Sequence, residues 1–311
     1  MLDLRRMMLL CDLADLGTVT AVAERRNITS SAVSQQLRVL EDEAGAILLR
    51  KDGRTLGLTR SGQVLVEHVR RVLGAVDEAM SAVAATNDGS SGQLVVGAFN
   101  TAVPLLAVPL VQRLSRRMPD MHVQVRQQSN QDARRLVRQG ELDVAITCTY
   151  DFRGHESLNG LLRQPLLEEP LVLVAPAQLH LKLRTRGLIA LADEPWVTGV
   201  GDSPLNAAVQ LIGESAGFEP KVKHRLVGAQ NICDLAATEI ASAVVPRYSV
   251  PPRLAGLVVE DVAVGSRTLD VLVREGRQRD PKISAVVREL KEIAREIEAA
   301  GAGSARLVVA S

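Results

Sequence analysis

Between Gly17 and Gly62 the chain reads GTVTAVAERRNITSSAVSQQLRVLEDEAGAILLRKDGRTLGLTRSG, and no other stretch restricts the fold as strongly. Thr18 and Thr29 are helix-capping residues, because a hydroxyl at that position accepts from one of the unpaired N–H groups of a first helical turn. Val19, Val22 and Ala23 follow the first cap at helical spacing, and Val33, Leu37 and Leu40 follow the second. Two short helices, Val19 to Arg26 and one starting after Thr29, are therefore expected, joined by only a few residues. A further helix over Leu4 to Leu16, stopped by Gly17, precedes them. The apolar stripe of the third helix leaves Ser30, Ser31, Ser34, Gln35 and Arg38 on its other faces. Lys51, Arg54 and Arg60 then mark a small basic hairpin.

From Thr59 to about Thr86 a long helical pattern runs through Val64, Leu65, Val69, Val72, Leu73, Val76, Met80 and Val83, with Gly74 inside it. A helix that long usually packs on a partner. The polar, glycine-rich NDGSSG of Asn87 to Gly92 reads as a hinge. Beyond it short apolar runs alternate with helical segments: strand Leu94 to Phe99, helix Pro104 to Arg117, strand Val123 to Gln127, helix Asp132 to Gln139, strand Asp143 to Thr147. The rhythm restarts at Leu171 to Ala175 and ends with strand Thr268 to Arg274 and helix Pro281 to Ala299. This is an α/β pattern, for which a largely parallel sheet is expected. The final AGAGSARLVVAS reads as a flexible tail.

Composition narrows the function classes. No apolar run of about 18 residues is present to span a bilayer, Asp12 and Asp15 interrupt the N-terminal apolar patch, and a cytoplasmic protein without a secretory leader is expected. Cys11, Cys148 and Cys233 are widely separated and lack CxxC spacing, so buried thiols are expected, with a redox sensor as the alternative. The five histidines lack metal-binding spacing, and neither a nucleophile elbow nor a phosphate loop occurs. The Glu168-Glu169 pair beside a strand reads as solvated. With 37 basic and 36 acidic residues the chain is no polycation, so any nucleic-acid contact must come from local charge placement. Aromatic residues, at 2%, are too scarce for a base-stacking platform.

Read together, Val19 to Glu43 and the turn Lys51 to Thr59 resemble the N-terminal winged helix-turn-helix of LysR-type transcriptional regulators. The residues that carry this are Ala23-Glu24-Arg25, Ala32-Val33-Ser34, Leu37, Leu40-Glu41, Gly45, Leu48, Leu58-Thr59 and Gly62. Pro119 and Gly140 to Ile146 look like the family's first effector subdomain. Glu169 to Pro176, Ala192 to Trp196, Ala216-Gly217-Phe218 and Ala241 to Pro246 look like the second. Arg26, Ala44 and Leu49 depart from the family's pattern, which implies looser packing beneath the third helix, and a usual glycine is missing near Ile240.

The resemblance implies a winged helix-turn-helix over residues 1–60, a linker and dimerisation helix over 61–87, and a hinge at 88–92. An α/β effector domain over 93–300, similar to type 2 periplasmic binding proteins, follows, with a tail over 301–311. Its first subdomain takes 93–163 and 267–300, its second 164–266. The implied protein is a DNA-binding transcriptional regulator and not an enzyme, a homodimer or homotetramer on a partly palindromic promoter site, with RNA polymerase as a further partner. It needs no cofactor beyond a small-molecule co-inducer.

The side chains support the same roles. Ser30, Ser31, Ser34 and Gln35 can donate to and accept from base edges, Arg38 suits guanine or phosphate, and Lys51 and Arg54 suit phosphate. In the effector domain, a polar or anionic ligand is expected where helix N-termini meet strand ends. Asn100, Thr101, Ser129, Asn130 and Ser203 occupy such points, Thr147, Thr149 and Thr198 end strands, and Gln230 precedes a helix. Ordinary helix capping explains each polar residue taken singly. The rival readings are a solute-binding module without a DNA-binding role, and an enzyme with a regulatory head.

Overall fold

The structure is a computed structural model that describes residues 2–52, 55–86, 92–154, 158–260, 262 and 264–308. The N-terminal head consists of α1 (Leu4–Leu16), α2 (Val19–Arg26) and α3 (Ser30–Ala44), followed by a hairpin of β1 (Leu49–Asp52) and β2 (Thr55–Leu58). The two threonines cap as expected, Thr18 accepting from the N–H of Ala21 and Thr29 from that of Ala32. Leu10, Val22, Val33, Leu37, Leu40 and Leu48 form the buried centre of the head, joined by Val66 and Val69 of α4 (Arg60–Thr86). Gly62 sits where α4 crosses the hairpin: a Cβ there would lie 2.2 Å from the carbonyl oxygen of Leu48, which only glycine tolerates.

The departures from the family pattern are accommodated. Arg26 donates to the buried carboxylate of Asp12 at 2.5 Å, so both charges are paired, and Ala44 and Leu49 still pack against the head's core.

The remainder begins with β3 (Gly92–Ala98) and α5 (Val108–Arg117). The expected helix from Pro104 opens with a wider π turn over Val103–Ala107, because Pro109 has no N–H to give to the carbonyl four residues back. Then come β4 (Met121–Gln127), α6 (Asn130–Arg138), β5 (Val144–Tyr150), β6 (Leu161–Val174), α7 (His180–Arg186), β7 (Pro195–Gly199) and α8 (Pro204–Ala216). The chain continues through β8 (Lys221–Leu226), α9 (Ala229–Ala236), β9 (Ala243–Pro246), β10 (Val258–Val259), β11 (Ser266–Arg274) and α10 (Pro281–Val308). Helical backbone thus extends well into the segment expected to be a tail.

The expectation of a largely parallel sheet is corrected. In the seven-stranded sheet only β3 runs parallel to its neighbours β4 and β5; β11 pairs antiparallel with β5 and β6, and β6 antiparallel with β9 and β10. The physical reason is that β6 and β11 are two opposed crossings between two lobes, and crossings that lie side by side must run in opposite directions. They join a lobe whose core contains Val96, Leu110, Ile146, Val271 and Leu290 to a lobe centred on Leu173, Trp196, Ile232 and Val244.

The head touches the first lobe. Arg25 of α2 pairs with Glu141 and donates to the carbonyl of Gln139 at 2.8 Å, both just beyond α6. Arg274 of β11 donates to Asp77 of α4 at 3.2 Å, and a Cβ on Gly276 would lie 1.9 Å from the carbonyl of Gly74, so α4 and the lobe meet backbone to backbone. Arg25→Glu should set charge against charge at Glu141 and loosen this contact. Faster amide exchange in α2 and around Gln139, with the α1–α3 core still protected, is the expected readout.

Candidate functional site

On α3, residues three and four apart share a face, which brings Ser31, Ser34, Gln35 and Arg38 into one row. Ser30 and Ser31 stand exposed in the first turn. Ser31 Oγ lies 2.9 Å from Thr29 Oγ1, and Ser34 donates back to the carbonyl of Ser30 at 2.9 Å. The side chains of Gln35 and Arg38 are exposed and, among the described residues, engaged by no hydrogen bond or ion pair. The neighbouring Gln36 differs: its Oε1 accepts from Arg6 Nε at 2.9 Å, and Arg6 also pairs with Glu43 at 2.5 Å, tying α3 to α1. Lys51 is exposed on β1, while Arg54 lies outside the described residues. Arg50, which sequence reasoning passed over, is exposed beside Lys51; alternation along the strand sends the two cations to opposite faces of the hairpin.

The nine residues proposed for the ligand are spread over both lobes, and three of them line one hollow. Ser129 and Ser203 are helix caps: Ser129 Oγ accepts from the N–H of Asp132 and donates to its carboxylate at 2.7 Å, and Ser203 Oγ accepts from the N–H of Asn206. Asn130 spends its amide on the chain, donating to the carbonyl and sulfur of Cys148 and accepting from its N–H, which latches α6 onto β5. Gln230 is exposed and bonded to Asp234 along α9. Asn100 faces the other lobe, since a Cβ on Gly228 would lie 3.1 Å from its Nδ2. Thr149 donates to Asp270 at 3.1 Å. Thr147 is buried, and Thr198 is fully buried with its hydroxyl unpartnered, as are Trp196 Nε1 and Ser242 Oγ nearby on adjoining backbone. Asn130, Thr147 and Thr149 do come together, around a hollow of about 370 Å³ that reaches Pro204 at the start of α8.

The crevice also holds a pair the sequence reading misjudged. Glu169 is not solvated: it is completely buried on β6 and bound at 2.6 Å by Arg267 of β11, itself 3% exposed. Consecutive strand residues point to opposite faces, so Glu168 meets the hydroxyl of Ser266 while Glu169 turns inward. Arg267 also donates to Thr101 Oγ1 at 3.1 Å and lies 5.4 Å from the centre of the Phe99 ring; Glu169 accepts from the N–H of Tyr248 at 2.5 Å. The pair thereby connects the first lobe, through Thr101, to the second, through Tyr248. Burial pushes the Glu169 carboxyl up, and the guanidinium opposes that push.

The three thiols are buried. Burial pushes Cys11 up to about 12 and Cys233 up to about 11, and raises Cys148 as well. A thiolate is the reactive form, so iodoacetamide at pH 8 should label none of the three within an hour in the native protein and all three after denaturation, as counted by mass spectrometry. Among the described residues no group of three His, Cys, Asp or Glu side chains is placed to hold a metal ion, and no helix is long and apolar enough to cross a membrane.

With this geometry in view, two family matches decide the classification. Residues 4–63 match the bacterial regulatory helix-turn-helix protein, lysR family, and residues 87–295 match the LysR substrate binding domain. The chain belongs to the LysR family. Members of this family are transcriptional regulators rather than enzymes, and the matched domains assign this LysR chain a DNA-binding head and an effector-binding domain. It is 27% identical over 233 residues to the HTH-type transcriptional regulator AlsR of Bacillus subtilis, covering 72% of this chain and 74% of that one. It is 25% identical over 297 residues to the HTH-type transcriptional regulator CbbR of Rhodospirillum rubrum, covering 94% and 97%. In fold it is similar to the crystal structure of ArgP from Mycobacterium tuberculosis, with a TM-score of 0.62 at 19% identity over 94% of this chain and 98% of that one. Full-length OxyR from Pseudomonas aeruginosa gives a TM-score of 0.61 at 20% identity, covering 95% and 97%.

Proposed function

We propose that this LysR-family regulator reads its operator as a cytoplasmic homodimer, able to pair into a homotetramer, with α3 of each head in a major groove. Ser30, Ser31, Ser34, Gln35 and Arg38 face base edges, and Lys51 and Arg54 hold phosphate. The observation that carries this division is the exposed pair Gln35 and Arg38, one helical turn apart on the same face of α3 and without a side-chain partner among the described residues, while the adjacent Gln36 is bonded to Arg6 inside the head. A small polar or anionic effector binds in the crevice between the lobes and shifts the balance between lobe arrangements. That shift changes the geometry of the two heads and their contact with RNA polymerase.

Fluorescence anisotropy with the preferred operator and with random duplex DNA separates the roles. Gln35→Ala should lose affinity for the operator by about tenfold, which is about 1.4 kcal/mol and lies within the range of about 1–3 kcal/mol for a good base contact, and leave random DNA unchanged. Lys51→Ala should weaken both DNAs alike and lower the salt slope by about one. Equal losses on both DNAs for both variants contradict the assignment.

A further inference from the structure

The hollow at Asn130, Thr147 and Thr149 has a lining that the ligand-site reading alone does not explain. Three of its walls carry guanidinium groups: Arg134 of α6, Arg153 after β5 and Arg163 of β6. Among the described residues its lining contains no carboxylate. Leu158 and Leu272 supply an apolar side. Asp270, two residues from Leu272 on the same face of β11, is 2% exposed and already bonded to Thr149, and Arg163 opposes the rise that burial imposes on its carboxyl. A volume of about 370 Å³ suits a metabolite rather than a single ion.

Resting on the reading of the crevice as the effector site, we propose that this pocket takes a small molecule with at least two acidic groups and a short carbon or phosphate backbone. Arg134, Arg153 and Arg163 set that specificity. Guanidinium groups bind carboxylate and phosphate oxygens through paired, charge-assisted hydrogen bonds, and groups on three separate elements select for charges held apart.

Arg153 links this pocket to lobe movement. It donates to the backbone carbonyl of Asp202 at 2.7 Å and to its carboxylate at 2.9 Å, so it bridges from the first lobe to the loop after β7 in the second. The Asp202 side chain is 97% exposed, which makes it a weak holder of the charge. A dianion in the pocket competes with Asp202 for Arg153, and binding therefore releases this bridge between the lobes.

Titration calorimetry of the full chain with citrate and with pyrophosphate, at ionic strength fixed by NaCl, tests this. Saturable binding of at least one probe is expected, about tenfold weaker in Arg163→Gln and in Arg134→Gln, about threefold tighter in Asp202→Asn, and unchanged in Lys51→Ala. Arg163→Lys should fall between Arg163→Gln and the parent chain. A melting temperature for each variant shows that it is folded. The proposal is overturned when neither probe binds, or when both Arg→Gln variants bind within twofold of the parent. Binding that responds to Asn100→Ala and Thr198→Val but not to Arg163→Gln overturns this pocket and leaves the crevice reading standing. Binding that is lost in Arg163→Gln yet leaves DNA affinity unaltered at saturation upholds the pocket and removes its role as the effector site.

Discussion

Arg267→Met is expected to destabilise the effector domain by about 3–5 kcal/mol, because it strands the Glu169 carboxylate, which is completely buried and, among the described residues, paired with no other cation. Neither the 3% exposure of Arg267 nor the complete burial of Glu169 leaves room for hydration to compensate. The same substitution removes the hydrogen bond to Thr101 and the guanidinium over Phe99, so the first lobe loses its tie to the crossing strands. Adding Glu169→Gln removes the unpaired charge while keeping an acceptor for the N–H of Tyr248, and should recover more than half of the loss. Urea unfolding of the two single variants and the double variant gives the coupling directly. A loss below about 1 kcal/mol in Arg267→Met, or no recovery in the double variant, contradicts the view that this buried pair fastens the lobes together.

The second large effect concerns α4. Val64, Val72, Val76 and Met80 are between 42% and 64% exposed, at spacings that place Val72, Val76 and Met80 along one side of the helix. Full burial of such side chains is worth about 1.5–3 kcal/mol each, and an antiparallel pairing of two copies covers both stripes at once. Val72→Glu with Met80→Glu puts two carboxylates on the stripe and should convert the proposed dimer to monomer in sedimentation equilibrium. Affinity for a two-half-site operator should then fall on the order of 100-fold, since the second head no longer binds at high local concentration. Affinity for a single half-site should stay within about threefold. A dimer that persists in this variant assigns the contact to another surface.

Much of the head was legible because its determinants are local. Thr18 and Thr29 are capping residues a few positions from the groups they cap, and the stripe Val33, Leu37, Leu40 fixes by simple periodicity which face of α3 turns inward. Gln36 lies one position off the row that holds Gln35, and its partner, Arg6, is on another helix.

What escaped depends on pairing across long stretches of chain. Glu169 and Arg267 are 98 residues apart, and only the register of β6 against β11 turns both inward together. The antiparallel character of the sheet has the same origin, since a strand's direction relative to a neighbour in the other crossing is not written in its own sequence. Arg134, Arg153 and Arg163 stand in no common sequence pattern, and only the fold brings α6, the loop after β5 and β6 around one hollow. The polar residues chosen for the ligand carry a second role that their type alone also allows: Ser129 and Ser203 have the chemistry of a binding site and the geometry of caps.

Selection of binding sites from a pool of random double-stranded DNA by the full-length protein tests the central claim most directly. A dimer that reads DNA through α3 should enrich two inverted half-sites whose centres lie one or more helical turns apart, about 10 base pairs or a multiple. Gln35→Ala should blur the same positions in both halves. Enrichment of a single half-site, or of no sequence at all, contradicts the account.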